Sequence, residues 1–330
     1  MIYVGNKSKY RNLCAVEKSI PIFSRDWWLD AVCGEENWDV IIIEKGDFIV
    51  ASLPYMKGKL YGFNTAGMPI LTQKLGPWIK YPEGQKYSTK LEFEKKLFQE
   101  LMELLPKDIA IYSQNFDYSI TNWLPFYWKG FKQTSRYTYV IEELSDFEKI
   151  KGNLSHSKRQ NLKKAEKSEL EVLYDLPAEQ FYKHHVRTLS EQNVYEKKIV
   201  YTYETFKRIY DACYKHRAGR VIYAKDKNEN IHAALFVIWD ENSAYDLIST
   251  IDSRYRKYGS GTLLVWKIME YLSNKTKKFD FEGSMIEGVE KSFRGFGATQ
   301  KMYFSICKVY DRKLAILMKC KEIVNIMRGR

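Results

Sequence analysis

The feature that most constrains the fold of this chain is a short pattern that occurs twice, half a chain length apart. Gly-Phe-Lys-Gln-Thr at 130–134 has its counterpart in Gly-Phe-Gly-Ala-Thr at 295–299, in a chain of 330 residues. An aromatic and a basic residue precede each copy, and a β-rich run follows it, at 137–141 and 302–306. Because self-similarity at a fixed spacing marks repeated architecture, the sequence predicts a duplicated fold.

Secondary-structure patterns follow the same order in both halves: hairpin, helix, strand, Gly-Phe turn, strand. In the first half, two strands, a helix and a further strand are predicted at 38–43, 48–53, 91–105 and 109–112. In the second half, three strands, a helix and a strand are predicted at 220–224, 231–238, 245–249, 261–272 and 279–282. We therefore predict an α/β (α+β) protein of two tandem domains, 1–145 and 146–330, each a mixed central sheet flanked by helices.

Composition indicates a globular protein, since 45% of the residues are hydrophobic and 15% are aromatic. The formal net charge of +12 favours an anionic partner such as a CoA-type cofactor, nucleic acid, a nucleotide sugar or an acidic membrane surface; a merely basic surface is the alternative. Five scattered cysteines form no CxxC pair, which favours reduced thiols and disfavours a metal site. The chain shows no signal peptide and no run of 18 apolar residues, so a cytoplasmic location is expected.

A basic, glycine-rich turn stands between the predicted strand at 245–249 and the following helix. It comprises Arg256, Lys257, Gly259, Ser260 and Gly261. Glycines let backbone N–H groups approach a pyrophosphate, the helix N-terminus adds partial positive charge, and the two basic side chains add full charges. We interpret the turn as a cofactor-binding site for phosphate; an ordinary strand-to-helix turn is the alternative.

The run 279–284 alternates aromatic and acidic residues before Gly283-Ser284. In a strand, Asp280 and Glu282 share one face. Paired or desolvated carboxylates have a raised pKa, as a general base requires, so both are candidate catalytic residues. A solvated strand face that pairs with lysines is the alternative.

Three other segments allow both a functional and a structural interpretation. The basic stretch 151–170 is a clamp over an anionic ligand or a solvated helix face. His184 and His185 are adjacent on a predicted helix and point about 100° apart, so they cannot share a metal; one faces a substrate cleft or both are structural. The apolar and basic helix at 314–327 rests on a membrane surface or packs on its own domain.

Together these residues resemble the FemAB-like branch of the GNAT acyltransferase superfamily. The segments that carry the resemblance are 28–32, 49–54, 71–78, 158–165 and 279–304. The resemblance implies two GNAT-like domains in tandem over nearly the whole chain, with a degenerate donor site in the first and the donor-binding, catalytic site in the second. Phe293-Arg294 stands where the ligases of the family have Phe-Lys, and the long coiled-coil arm of some ligases has no counterpart.

The resemblance implies an N-acyltransferase that moves an acyl group from acyl-CoA, such as acetyl-CoA, to an amine. The expected acceptor is an amino sugar or a cell-envelope polysaccharide or peptidoglycan precursor, as a small molecule or linked to a nucleotide or lipid. Glu282 or Asp280 would accept the proton, and a backbone N–H near 248–250 would stabilise the oxyanion. Arg159, Lys163, His185 and Arg294 are the predicted substrate-binding residues, and no metal is expected.

Three other functions stay open at this point. One is a peptidoglycan-bridge transferase that uses aminoacyl-tRNA, the donor used by the ligases of the family. A second is a non-enzymatic nucleic-acid binder, for which no recognised motif is present, and DNA is not an expected partner. The third is a non-catalytic member of an envelope-polymer pathway. Contact with the inner face of the membrane is expected if the acceptor is lipid-linked.

Overall fold

The structure, a computed structural model, describes residues 6–191, 199–283 and 285–327. Its contacts group the chain into two compact units. The first unit contains the chain up to Arg136 and again from Met302 onward, and the second contains Tyr137–Lys301. None of the helices in the described ranges combines the length and the apolar character needed to span a bilayer.

The first unit is a mixed sheet with helices packed on it. Its strands are β1 (Trp38–Lys45), β2 (Phe48–Leu60), β3 (Phe63–Gly67), β4 (Trp78–Ile79), β5 (Ile109–Asn115) and most of β12 (Thr299–Val309). Its helices are α1 (Asn6–Val16), α2 (Asp26–Cys33), α3 (Tyr87–Glu103), α4 (Leu124–Trp128) and α11 (Arg312–Met327). The strand order is β1-β2-β3-β5-β12, and β4 pairs with β2. The apolar side of α3 is buried with β-strand residues, and Leu314 of α11 packs with Ala110 and Ile111.

The second unit has the same kind of architecture. Its strands are β6 (Lys132–Ile141, from Tyr137 onward), β7 (Glu171–Tyr174), β8 (Gly219–Lys225), β9 (Ile231–Trp239), β10 (Ser243–Ile251) and β11 (Lys278–Asp280). Its helices are α5 (Phe147–Asn153), α6 (His156–Lys167), α7 (Ala178–Glu191), α8 (Tyr203–Lys215), α9 (Ser260–Leu272) and α10 (Glu287–Arg294). The strand order is β6-β11-β10-β9-β8-β7. A cluster of apolar residues from α9 and the strands forms its core.

The two halves of the sequence share one topology and exchange their last strands. Each half forms an antiparallel three-stranded meander, then a helix, then a strand parallel to the third: β1–β3, α3 and β5, and again β8–β10, α9 and β11. The strand beside β5 is β12 from the second half, whereas the strand beside β11 is β6 from the first half. The predicted fold class is confirmed. The predicted division into 1–145 and 146–330 concerns the repeats rather than these packed units, and it stays a prediction.

The predicted helices and strands form, although several of their ends differ, and β2 extends to Leu60 rather than ending at 53. Both hairpins form, and the helix predicted from residue 91 begins at Tyr87. The strand predicted to reach Glu282 ends at Asp280. Glu282 has a left-handed φ of 59° and Gly283 a φ of 67°. The prediction that the two carboxylates share a strand face is therefore wrong, because the backbone turns between them; Ser284 of this motif lies outside the described residues.

A tight approach of the chain to β5 shapes the first unit. The N–H of Leu75 donates to the carbonyl of Asn115 at 2.8 Å, and Leu75 forms a bridge with Phe116. Gly76 follows with a φ of 84°, and a Cβ at this position would lie 2.5 Å from Cδ1 of the fully buried Phe116 ring. Glycine is therefore required here for both its conformation and its size.

We expect Gly76→Ala to lower the free energy of unfolding more than Gly62→Ala. Both glycines have a φ of 84°, but a Cβ on Gly62 would meet nothing within 4 Å. The Gly62 variant then carries only the left-handed strain of about 1–2 kcal/mol. The Gly76 variant adds overpacking of about 1–3 kcal/mol. Urea unfolding of both variants measures the difference, and equal losses would show that the approach to Phe116 is not tight.

Candidate active site

A cleft opens in the second unit where two parallel strands separate. β10 pairs with β11 only along Ser243–Tyr245, opposite Lys278–Asp280, and β10 then continues to Ile251. The cleft beside this free edge has a volume of about 610 Å³. Residues of β10, of the turn before α9, and of α6, α7, α9 and α10 line it. Its volume lies within the range of pockets that hold small molecules and cofactors.

One end of the cleft is the N-terminus of α9. The chain leaves β10 through a 3-10 turn, Ser253–Tyr258, and reaches α9 through Gly259, whose φ is 76°. No side chain caps α9, and its first intrahelical bond is donated by the N–H of Leu263 to Gly259. The N–H groups of the preceding helical residues therefore point out of the helix, with Arg256 beside them on the cleft wall. Such a terminus binds anionic groups.

Helix α6 holds this turn in place. A Cβ on Gly259 would lie 2.2 Å from the carbonyl oxygen of Asn161 in α6, and a Cβ on Gly261 would lie 2.5 Å from Cδ1 of Ile251. The side-chain amide of Asn161 lies 3.5 Å from the hydroxyl of Thr262. The two glycines thus allow close packing of the turn between α6 and β10, and this packing fixes where the helix N-terminus points.

The cleft contains a buried carboxylate that the sequence patterns did not single out. Asp246 lies in β10 at an irregularity of the pairing with β9, between Asp246 and Ile248, and is 7% exposed. Ser249 is exposed to the cleft and donates its hydroxyl to both carboxylate oxygens, at 2.8 and 2.7 Å. Burial raises the pKa of Asp246 to about 6. A carboxylate with this pKa can accept a proton near neutral pH.

A chain of hydrogen bonds connects the cleft wall to α7. The hydroxyls of Thr188 and Thr250, which both line the cleft, bond to each other. Nδ1 of His184 lies 3.2 Å from the Thr250 hydroxyl, and its Nε2 lies 3.1 Å from the carbonyl oxygen of Ile231. Burial lowers the pKa of His184. The imidazole of His184 therefore ties α7 to β9 and β10 behind the cleft.

A buried lysine also lines the cleft. Lys158 of α6 is 7% exposed, and its Nζ donates to the hydroxyl of Ser292 in α10 at 2.8 Å. The same Nζ lies 4.1 Å from the centre of the Phe296 ring. Burial lowers the pKa of Lys158 to about 8.

The predicted cofactor-binding residues divide into two groups. Arg256, Gly259 and Gly261 line the cleft. Lys257 and Ser260 are not among the lining residues: Lys257 is exposed with its Nζ 5.1 Å from the Tyr258 ring centre, and Ser260 is buried. Their roles stay predictions.

The predicted catalytic carboxylates lie off the cleft wall. Asp280 is fully buried and accepts hydrogen bonds from the hydroxyl of Thr138 and, at 2.8 Å, from the N–H of Glu282. Glu282 is partly exposed in the left-handed turn that follows β11. Neither residue is among those that line the cleft. Their assignment as the catalytic base stays a prediction.

The predicted substrate-binding residues are dispersed. Arg159 and Lys163 are exposed on α6. His185 is buried, with its ring stacked against Phe181 and Tyr201 at centroid distances of 6.3 and 6.4 Å. Arg294 forms an ion pair with Glu290 at 2.9 Å. None of the four is among the residues lining this cleft, so their roles also stay predictions.

A weak signal for Asp246 was present in the sequence. The residue interrupts an otherwise apolar strand segment, Tyr-Asp-Leu-Ile at 245–248, and a charge inside a buried strand is a candidate functional group. Lys158 gave no such signal, since it lies in a run of basic residues. Within the described ranges no group of three His, Cys, Asp or Glu side chains could hold a metal ion.

A protein-family model matches part of the second unit. Residues 154–287, which include α6, Asp246 and the turn before α9, match the family model of the acetyltransferase (GNAT) domain. A search of curated protein sequences finds no match. The match and the fold support a transferase of the acyltransferase class.

Solved structures share the fold over nearly the whole chain. The crystal structure of FemX aligns with a TM-score of 0.67 at 9% identity and covers 91% of this chain and 96% of that one. The C-terminal domain of a putative lysylphosphatidylglycerol synthetase from Agrobacterium fabrum aligns with a TM-score of 0.53 at 12% identity, over 97% and 96%. A tandem GNAT protein from the clavulanic acid biosynthesis pathway aligns with a TM-score of 0.50 at 12% identity, over 91% and 92%. The predicted resemblance is confirmed for the GNAT domain at residues 154–287 and for the fold over nearly the whole chain.

We expect Asp246→Asn to stabilise the protein at high pH. The pKa of Asp246 rises from 3.8 to about 6 on folding, so the folded protein favours the protonated carboxyl. That contribution is complete below about pH 4 and is lost as the pH rises through about 6. This pKa shift corresponds to about 3 kcal/mol of folding free energy, which the wild-type protein loses at high pH. The uncharged asparagine variant does not incur that loss. Urea unfolding from pH 4 to 8 measures it, with the exposed Asp211→Asn as control; a variant curve parallel to the wild-type curve would contradict the burial of this charge.

Proposed function

We propose that the second unit is an N-acyltransferase that moves an acyl group from acyl-CoA to an amine. The observation that carries the proposal is that one cleft is lined both by an uncapped, arginine-flanked helix N-terminus and by the buried carboxylate of Asp246. The first group suits the pyrophosphate of the donor. The second suits the removal of a proton from the acceptor ammonium group.

The free edge of β10 supplies donors for the thioester oxygen. The N–H of Asp252 bonds to the carbonyl of His232 in β9 at 3.0 Å. Because N–H directions alternate along a strand, the N–H groups of Ile248 and Thr250 also face β9, and that of Ser249 faces the cleft side. Within the predicted range 248–250, Ser249 is therefore the residue whose N–H can stabilise an oxyanion.

The chemical step needs only these groups. Asp246 takes one proton from the ammonium group of the acceptor, directly or through the hydroxyl of Ser249. The free amine attacks the thioester carbonyl carbon, a C–N bond forms, and the C–S bond breaks. CoA leaves as the thiolate and is protonated by the acid formed on the cleft wall, while the nitrogen, now bonded to the carbonyl carbon, releases its second proton to water. No metal takes part in this scheme.

The acceptor we propose is an amino sugar or a precursor of a cell-envelope polysaccharide or peptidoglycan. The sequence resemblance implies this class, and the name of the lysylphosphatidylglycerol synthetase relative is consistent with transfer to an envelope component. A lipid-linked acceptor would bring the protein to the inner face of the membrane.

Arg256→Ala should weaken acetyl-CoA and CoA binding by about 10- to 100-fold, because it removes one charge-assisted hydrogen bond to a phosphate. Isothermal titration calorimetry measures both affinities. Lys257→Ala is the matched variant: it removes the adjacent positive charge, which does not lie on the cleft wall. An equal loss in both variants would contradict a specific contact of Arg256 and would assign the effect to the positive charge of the turn as a whole.

Asp246→Asn should lower kcat by about 10²- to 10⁴-fold with little change in CoA affinity, since a general base contributes to the chemical step and not to donor binding. Steady-state turnover with acetyl-CoA and an amino-sugar panel measures it. Glu282→Gln and Asp280→Asn are compared in the same assay. Loss of turnover in either of these variants, with Asp246→Asn active, would favour the base predicted from the sequence.

Aminoacyl-tRNA remains the second candidate donor. The observation that favours it is the exposed basic surface of α6 outside the cleft, formed by Arg159, Lys163, Lys164 and Lys167. Turnover that requires acyl-CoA and survives ribonuclease supports the acyl-CoA donor. Turnover that ribonuclease abolishes supports the RNA donor.

A further inference from the structure

Lys158 carries an ammonium group that the structure buries without an opposite charge. Its hydrogen-bond partner is the hydroxyl of Ser292, and the Phe296 ring lies beneath it. Within the described ranges no carboxylate lies at ion-pair distance from its Nζ. A hydroxyl and an aromatic face offset only part of the lost hydration of a cation. A cation kept in this state on a cleft wall is suited to an anion that a ligand brings.

The position of Lys158 separates it from the donor end of the cleft. Asn161 is the residue of α6 that meets Gly259 and Thr262, at the N-terminus of α9. Lys158 lies three residues earlier, which is about 4.5 Å along the helix axis, and its contacts are with α10 and the turn after it. One turn of α6 therefore faces the phosphate-binding terminus and the preceding turn faces α10.

The neighbouring basic residues do not have this environment. Arg159 lies about 100° further around the helix and is exposed, as is Lys163. Ser292 is fixed opposite Lys158 because Val289 and Ser292 of α10, and Ile286 just before the helix, line the cleft at three-residue spacing. The pair joins two helices across one wall of the cleft.

We propose that Lys158, together with Ser292, binds an anionic group of the acceptor, a phosphate or a carboxylate, at the α10 end of the cleft. This inference rests on the proposed function for the identity of the ligand as acceptor. The lysine supplies the charge and the hydroxyl a second hydrogen bond, so that the amine of the same molecule is held at a set distance from the anion. We therefore expect the site to prefer amines that also carry a phosphate or a carboxylate over amines without an anionic group.

Protection from reductive methylation tests the site without turnover. Wild-type protein is methylated with formaldehyde and cyanoborohydride in a zwitterionic buffer, and mass spectrometry gives the rate at Lys158 and at the exposed Lys164 of the same helix. Inorganic phosphate and acetate are the probes, each added with and without saturating CoA. We expect either anion to slow methylation of Lys158 by about tenfold near saturation, also with CoA present, and to leave Lys164 unchanged. Ser292→Ala should reduce the protection.

A variant separates acceptor from donor. Lys158→Met keeps a long apolar stem over Phe296, and Lys164→Met is its matched control. CoA affinity by calorimetry should stay within about twofold in both, since the donor binds one helical turn away. No protection of Lys158 by either anion overturns the anion site. Protection by CoA alone, with CoA affinity lost in Lys158→Met, overturns its assignment to the acceptor. If phosphate protects Lys158 in a protein that does not bind CoA, the anion site is supported and the proposed acyl-CoA donor is contradicted.

Discussion

The separation of β10 from β11 after three paired positions is the constraint on which the rest of the second unit depends. A strand that loses its neighbour in the interior of a sheet leaves backbone N–H and C=O groups without ladder partners, and such groups are costly unless something else bonds to them. In this unit the free edge faces a cleft. The turn after β10 must then bring α9 back over the same edge, and it does so through a left-handed glycine packed against α6. Strand separation, helix N-terminus and cleft are thus one structural feature.

The same cleft keeps two charged groups, Asp246 and Lys158, away from water without pairing them with each other. On the cleft wall, the hydroxyl of Ser249 bonds to Asp246 and the hydroxyl of Ser292 bonds to Lys158. Burial acts on both in the expected directions, since it raises the pKa of the carboxyl and lowers that of the ammonium group. A direct ion pair would cancel both effects. Because the two groups lie on different elements, a carboxyl with a raised pKa and an ammonium group with a lowered pKa line one pocket.

Sequence patterns predicted the elements and the glycine turn at one end of the cleft, but not Asp246 or Lys158, which also line it. The hairpins and the turn at 256–261 were found because their signals are local: turn residues, periodicity and glycine spacing. The end of β11 was missed because only the left-handed turn at Glu282, next to the close approach of Gly283 to Tyr137, stops the strand. Asp246 was missed because β10 is buried on both faces, so the alternation of polar and apolar residues does not reveal which side chains face a cleft. Lys158 was missed because only the packing of α6 distinguishes it from Arg159, one residue away.

The two repeats show how one fold can keep or lose such a cleft. In the first unit β3 also pairs with β5 in parallel over a short stretch, so the same separation of strands begins there. Its continuation, however, is occupied by the chain itself. The N–H of Leu75 donates to the carbonyl of Asn115, and the side chain of Asn115 donates to the carbonyl of Gln73. The Phe116 ring packs on Gly76. Backbone groups at this strand edge, which a ligand could otherwise bond, are therefore hydrogen-bonded to the chain itself. In both halves, the separation of two parallel strands therefore leaves backbone groups that need hydrogen-bond partners. The first half supplies these partners from its own chain and gains stability, whereas in the second half the strand edge stays accessible to a bound molecule.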